Sequence, residues 1–347
     1  MTASISDDSN GFDQIDRRIA QALQVSPRAS FSDIAAVLDV AEQTVARRYR
    51  RLRREGLLRV TMVYDPAALN STSWQIRVHC WPDSATSIAE ALGRRQDVSW
   101  VVIQNAGSEV SFGLRAIDEK HTQELLGRLL PKAAPMLEVK AYAVLHTFVG
   151  GPTGHYCKGW VDGLSAEQVA ALEPDQPEPA PGVSTVPTLT AEDRVLVAEL
   201  ARDGRTPFAS LARSTGMSVG KVTRRFDALV RSGVAYLDVD FAPALSGGGT
   251  ATTFWMTVAP DRLDTVGRAL AEHPGIPFAA AITGSSNLVT TLLTEDRHGV
   301  YEFVTGTLAR LDGITGYELV PQWRRVKYAG AMTAGDRLAP PPPSRVR

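Results

Sequence analysis

Seven arginines (Arg47, Arg48, Arg50, Arg51, Arg53, Arg54 and Arg59) fall between residues 41 and 59 against two glutamates, Glu42 and Glu55. That local surplus of five positive charges sits in a chain of 347 residues whose formal net charge is −1. The charge is concentrated, and concentrated guanidinium is chemistry for a polyanion. Set on a helix at about 100° per residue, Val45, Tyr49 and Leu52 form one narrow apolar stripe. Gln43, Arg47, Arg50 and Arg54 fall opposite, with Thr44 and Arg51 at the edge and Arg48 beside the apolar seam. Such a helix is held to a body by one side and offers the other outward.

The remaining reactive side chains point to no catalysis. The six histidines (79, 121, 146, 155, 273 and 298) show no metal-ligand spacing, and His79 and His146 lie on expected strands. Cys80 and Cys157 form no CxxC pair, so neither a zinc site nor a disulfide framework is indicated. No nucleophile elbow or phosphate loop is present. The expectation is therefore no catalytic residue, no metal and no cofactor. A hydrophobic content of 44% and a charged content of 22% suit a chain that buries ordinary cores. No apolar run approaches the roughly 20 residues needed to cross a bilayer, and the polar, acidic N-terminus is unlike a signal peptide. A cytoplasmic protein without membrane contact is expected.

The elements that position the arginine helix can be read upstream. Phe12, Ile15, Ile19, Ala22 and Leu23 share one helical face, and Ser30 with Asp33 has capping-box spacing before a second helix carrying Phe31, Ile34, Ala35 and Leu38. Asp39-Val40 is a tight turn into the basic helix, which stops near Gly56. This is a helix-turn-helix with the basic helix in the recognition position.

The pattern then repeats. Residues 190–236 align without gaps on 13–59 at an offset of 177, matching Asp16-Arg17 with Asp193-Arg194, Arg28 with Arg205, and Phe31 with Phe208. Val45, Arg48, Leu52 and Gly56 match Val222, Arg225, Leu229 and Gly233, and Thr206-Pro207 reads as an N-cap followed by proline at the first helical position. The segment C-terminal to each module repeats at an offset of 178, as strand, helix, two strands around a turn, helix and strand. That order is the βαββαβ, ferredoxin-like arrangement, with both helices on one face of the sheet. The second face needs cover, and Ile76, Val78, Val102 and Val289 are apolar strand residues to be buried. Residues 173–188 hold five prolines and read as an extended linker. The expected boundaries are a helix-turn-helix at 1–65, βαββαβ at 66–150, a Pro-rich linker at 151–188, a second helix-turn-helix at 189–245, a second βαββαβ at 246–330, and a disordered tail at 331–347.

In this order, and through the run Val45, Arg48, Leu52, Gly56 and its second copy, the chain resembles the Lrp/AsnC (feast/famine) family of transcriptional regulators. The resemblance implies an α+β fold with two copies of a winged-type helix-turn-helix followed by a ferredoxin-like βαββαβ regulatory domain. Single-copy members dimerise, so the tandem form is expected to fold into an intrachain pseudo-dimer, with further association of chains through the same domains left open. Implied partners are double-stranded DNA and a small-molecule effector such as an amino acid. Gln43, Thr44 and Arg47 would meet base edges, while Arg50, Arg51 and Arg54 would meet phosphates. In the second copy Gly220, Asp227 and Ala228 replace Gln43, Arg50 and Arg51, leaving Lys221, Arg224 and Arg231 for mainly backbone contacts. By resemblance the effector lies near the strand turns, with Asn105, Gly107 and Ser108 in one copy and Thr283, Gly284, Ser285, Ser286 and Asn287 in the other. A rival reading comes from fused proteins on this scaffold that resemble siroheme decarboxylases, which hold a tetrapyrrole.

Overall fold

The computed structural model describes residues 12–115, 123–124, 127, 136–151, 163–173, 189–242, 245 and 249–341. The expected second helix of the first βαββαβ unit (118–130) lies outside the described residues, apart from 123–124 and 127. Cys157, His121 and His155 lie outside them as well.

The first module is α1 (Gln14–Val25), α2 (Phe31–Leu38) and α3 (Glu42–Arg54). Asp13 with Asp16, and Ser30 with Asp33, close capping boxes that satisfy N–H groups otherwise left unpaired at the helix starts. Asp39, left-handed at φ 55°, turns α2 into α3. Ile19, Leu23, Ile34, Val45 and Leu52 are fully buried in one core, each contributing roughly 1.5–3 kcal/mol of apolar burial. The strand β1 (Leu58–Tyr64) comes next. The second module repeats this plan in register, its middle helix beginning at Phe208 as the first begins at Phe31, so that Pro207 stands at the cap and not, as the sequence suggested, at the first helical position after Thr206.

The linker and tail depart from expectation. Residues 166–172 form a helix, α5 (Ala166–Leu172), with its own capping box. It docks on the first module: Gln168 Nε2 donates to the Val37 carbonyl (2.7 Å), Arg18 donates to Gln168 Oε1 (2.9 Å), and Leu172 joins the core. The proline-rich composition around it hid a short amphipathic segment. The stretch 331–341 is likewise built in. Ala331 and Leu338 enter the first module's core, and Leu338 donates its N–H to the Gly56 carbonyl (2.6 Å). Gly56, at φ +66°, is required twice, since a Cβ there would sit 2.7 Å from the Leu338 carbonyl oxygen. Residues 342–347 lie outside the described residues.

The second module comprises α6 (Ala191–Arg202), α7 (Phe208–Thr215), α8 (Val219–Arg231) and β6 (Ala235–Phe241). β1 and β6 pair antiparallel, with Thr61 opposite Asp238, residues that are equivalent in the two copies. The strand after each helix-turn-helix therefore finds its partner in the other copy. Arg28 donates to the Gly204 and Thr206 carbonyls (2.5 and 3.2 Å), and Arg205 donates to those of Pro27 and Ala29 (2.8 Å each). Arg28 stacks over Phe208 and Phe226, and Arg205 over Phe31 and Tyr49. Every one of these residues is the 177-offset equivalent of its counterpart, so the two modules clasp across a pseudo-two-fold.

The sheet domains pair in the same way. Copy one has β2 (Ser73–Cys80), α4 (Ala85–Gly93), β3 (Val98–Gln104), β4 (Glu109–Arg115) and β5 (Met136–Val149). Copy two has β7 (Thr250–Val258), α9 (Leu263–Glu272), β8 (Phe278–Ile282), β9 (Leu288–Thr294), α10 (Arg297–Glu302) and β10 (Ile314–Lys327). β5 pairs with β2 through its first half and with β8 through its second, while β10 pairs with β7 and then β3. The eight strands close into a barrel. Ile76 and Val78 are buried beneath α4 on the helix side rather than against the other copy. Alternate residues of β2 and β4 face inward and are polar. Arg77 holds Glu109 (2.7 and 2.8 Å) and, from the other copy, Glu318 (2.7 and 2.8 Å), with its guanidinium 4.8 Å from the Trp255 ring. Val289 does lie in the interior, beside Trp255 and Val320.

Candidate nucleic-acid interface and effector turns

α3 buries Val45, Ala46, Tyr49 and Leu52 and leaves Gln43, Arg47, Arg50 and Arg54 exposed, with Thr44 half-buried. Arg47 and Arg50 have no ion-pair partner among the described residues. Arg54 has only its neighbour Glu55, at 3.7 Å. Arg53 is engaged across the copies with Asp203 at 2.6 Å. Arg51, assigned to phosphate from sequence, turns back with Arg48 onto Asp16, whose side chain is fully buried. Arg48 also donates to Asp13 at 2.6 Å. Burial opposes the Asp13 charge, but the Arg48 bond and the Asp16 N–H outweigh it and hold the carboxyl below the usual range. Arg48 and Arg51 thus fasten α3 to α1, because residues three apart rise on one side of a helix.

In the second module Arg225 repeats the Arg48 role, with Nε 2.7 Å from Asp193. Burial opposes the Asp193 charge, and Arg225 with Thr190 more than compensates, so this carboxyl too is held low. Lys221 is paired with Glu192 at 2.6 Å. Arg231 donates to the Asp227 backbone carbonyl (3.3 Å), and Arg224 is exposed. Gly220 leaves open space where Gln43 stands in copy one. The two outward faces are therefore unequal in charge and in side-chain reach.

Each strand turn packs against the other copy's long strand. At 105–108, Asn105 (φ 48°), Ala106 (φ 52°) and Gly107 (φ 96°) are left-handed in succession. Asn105 Nδ2 donates to Glu109 at 3.2 Å, Ser108 Oγ donates to the Asn105 carbonyl, and a Cβ on Gly107 would press on the Trp323 ring at 3.0 Å. At 283–287, Thr283 Oγ1 accepts from the Ala143 N–H (2.9 Å), and Gly284 (φ +111°) lies against the Tyr142 ring. Ser285 accepts the Thr257 hydroxyl through its carbonyl (3.0 Å), while Ser286 is half-buried. Asn287 spends both ends of its amide on the Val258 backbone, donating at 2.7 Å and accepting at 2.8 Å. That pins the turn. Among the described residues no group of His, Cys, Asp and Glu could hold a metal, and no helix is long and apolar enough to cross a membrane. Sequence reading missed the Arg28/Arg205 clasp and the inward arginines Arg77 and Arg115; the first had a signal in the matched positions of the repeat.

Known proteins bear the same features. An AsnC-type helix-turn-helix domain is matched at residues 12–53 and again at 189–230, and an Lrp/AsnC ligand binding domain at 253–332. The HTH-type transcriptional regulator LrpA of Pyrococcus horikoshii is 23% identical over 124 residues, 35% of this chain and 88% of that protein. An uncharacterised HTH-type transcriptional regulator of Pyrococcus furiosus is 27% identical over 131 residues, covering 37% of this chain and 86% of its own. Among solved structures, the siroheme decarboxylase NirDL in complex with an iron-uroporphyrin III analogue superposes with a TM-score of 0.60 at 18% identity, over 91% of this chain and 93% of that one. At that identity the likeness is one of fold. With both helix-turn-helix modules and the second sheet domain matched, and the first sheet domain closing one barrel with the second, the chain belongs to the Lrp/AsnC family of transcriptional regulators in a tandem-duplicated form.

Proposed function

We propose that the protein is a sequence-specific DNA-binding regulator in which α3 is the principal reading helix and a small molecule, such as an amino acid, tunes binding through the sheet domains. The observation that carries this is the exposed Gln43, Arg47, Arg50 and Arg54 face on a recognition helix whose Arg48 and Arg51 are tied inward to Asp16. Arg47 and Gln43, near the helix start, suit bidentate contacts to guanine and adenine, each worth roughly 1–3 kcal/mol of discrimination. Arg50 and Arg54 suit phosphates, and in the second copy Arg224 and Arg231 do, with Lys221 once it leaves Glu192. Arg51 is better placed to hold α3 than to leave it. The pseudo-two-fold between unequal modules favours an asymmetric operator with half-sites about one helical turn, roughly 34 Å, or a multiple apart. Selection of bound sequences from a random DNA pool tests the reading. Enrichment of one asymmetric site by the whole chain, lost in base preference on Arg47→Ala, supports it; no enriched sequence sinks it.

A second reading, an enzyme acting on siroheme, rests on the NirDL-like fold over 91% of the chain. Among the described residues, the cavity between the barrel and the β1–β6 ribbon, at about 190 Å³, is smaller than the roughly 300–1,000 Å³ of ordinary ligand pockets. Incubation with siroheme, followed by its visible spectrum and by mass analysis for lost carboxylates, separates the two.

A further inference from the structure

The cavity is partly open and lies between the inner face of the barrel and the β1–β6 ribbon that joins the two helix-turn-helix modules. Its wall is aromatic, with Trp74 and Trp100 from copy one and Trp255 and Phe278 from copy two. Among the described residues, four buried side-chain donors of that wall lack a hydrogen-bond partner: the Tyr64 and Tyr236 hydroxyls, and a pair that an anion would suit. Trp255 is 2% exposed and its indole Nε1 has no hydrogen-bond partner, and Arg115 Nη1 is buried without an acceptor. A neutral donor left unpaired in the interior costs about 1–3 kcal/mol, and a charged one more. Arg115 can make only donor contacts, since guanidinium stays charged. The complement of this pair is an acceptor, preferably anionic, carried on an apolar body. The size agrees: an apolar cavity of roughly 150 Å³ is enough for benzene.

We propose that this cavity binds a single-ring aromatic carboxylate, its ring among the tryptophans and its oxygens supplying the acceptors that Arg115 and Trp255 lack. Asp238 and Asp240 also line the space, and burial raises both carboxyls, Asp240 to about 7, so that Asp240 does not repel such a ligand at mildly acid pH, while Arg115 opposes the rise at Asp238. The site is distinct from the strand turns at 105–108 and 283–287, and it exists only where both copies close on each other. Because β1 follows α3 and β6 follows α8, a ligand here touches the strands that carry both reading helices.

The test uses the full chain with benzoate, 4-hydroxybenzoate and phenylacetate as probes, and benzamide as the neutral control. Binding is read by calorimetry and by tryptophan emission, since three of the wall residues fluoresce. Saturable binding of at least one acid is expected, with benzamide at least about tenfold weaker, a difference of roughly 1.4 kcal/mol. Arg115→Gln should cost tenfold or more and Trp255→Phe several-fold. Trp255→Phe also shrinks the ring over which Arg77 lies and leaves space in a packed wall, so a lower melting temperature is expected for it and the affinity of Arg115→Gln decides. No saturable binding of any acid, equal binding of benzamide, or wild-type affinity in both variants overturns the proposal. The binding arm needs no DNA; any effect of the acid on operator affinity rests on the regulator reading and fails separately from it.

Discussion

Replacing Asp240 by asparagine should remove most of the protein's dependence of stability on pH between about 5 and 7.5. Asp240 lies on β6 with 2% exposure, and its Oδ2 accepts the N–H groups of Gly330 (3.0 Å) and Ala331 (2.6 Å). Burial is the largest influence on its carboxyl and the Asp238 charge the next, both raising it. The two N–H bonds and Arg59 pull the other way, and the balance is about 7 against an ordinary 3.8. A carboxyl raised on folding contributes stability that is complete below the unfolded value and lost as pH rises through the folded one. At about 1.36 kcal/mol per unit, a shift of roughly three units caps the loss at about 4 kcal/mol. That is a large share of the roughly 5–15 kcal/mol by which domains are stable. Asparagine keeps the accepting oxygen for both N–H groups and cannot ionise. Asp238, also raised by burial, leaves the variant a residual slope. Lys327 does not interfere: burial lowers it to about 8, so its contribution is lost as pH falls through 8 and adds no slope between 5 and 7. Urea unfolding at about pH 5 and about pH 7.5 should show the wild type losing about 2–4 kcal/mol and Asp240→Asn losing under about half of that. Equal losses in the two proteins would refute the assignment, as would a wild type with no slope.

Arg28→Ala and Arg205→Ala should each cost about 2–4 kcal/mol, because each strands two carbonyl acceptors and removes a cation over two rings. Since the clasp is reciprocal, denaturation curves that differ between the two by much more than about 1 kcal/mol would contradict its symmetry. Ending the chain after residue 330 removes Ala331, Leu338 and the bond onto Gly56, and should lower the first module's stability by roughly 2–4 kcal/mol; an unchanged melting temperature would show the docked arm to be idle. Asn287→Ala should destabilise by about 1–3 kcal/mol through the two lost Val258 bonds, and a loss of effector response at unchanged stability would instead mark it as a ligand contact.

The helices were legible because their causes are local. Capping boxes at Ser30/Asp33, the apolar stripe of Val45, Tyr49 and Leu52, and the offsets of 177 and 178 are all written within short windows of chain, and each helix and strand of the second copy could be placed from the first. Local pattern also misled where composition outweighed spacing. Prolines around 173–188 hid the helix at 166–172, and the proline-rich end hid the docked stretch at 331–341. What periodicity cannot carry is which strand pairs with which, or where a side chain finds its counter-charge. β1 pairs with β6, and β5 and β10 each split their length between the two copies, because a backbone N–H is satisfied by whatever edge the folded chain presents. Arg50 and Arg51 are adjacent and alike in sequence. Only the packing of α1 against α3 brings the buried carboxylate of Asp16 to one of them, so that Arg51 holds the helix while Arg50 is left outward.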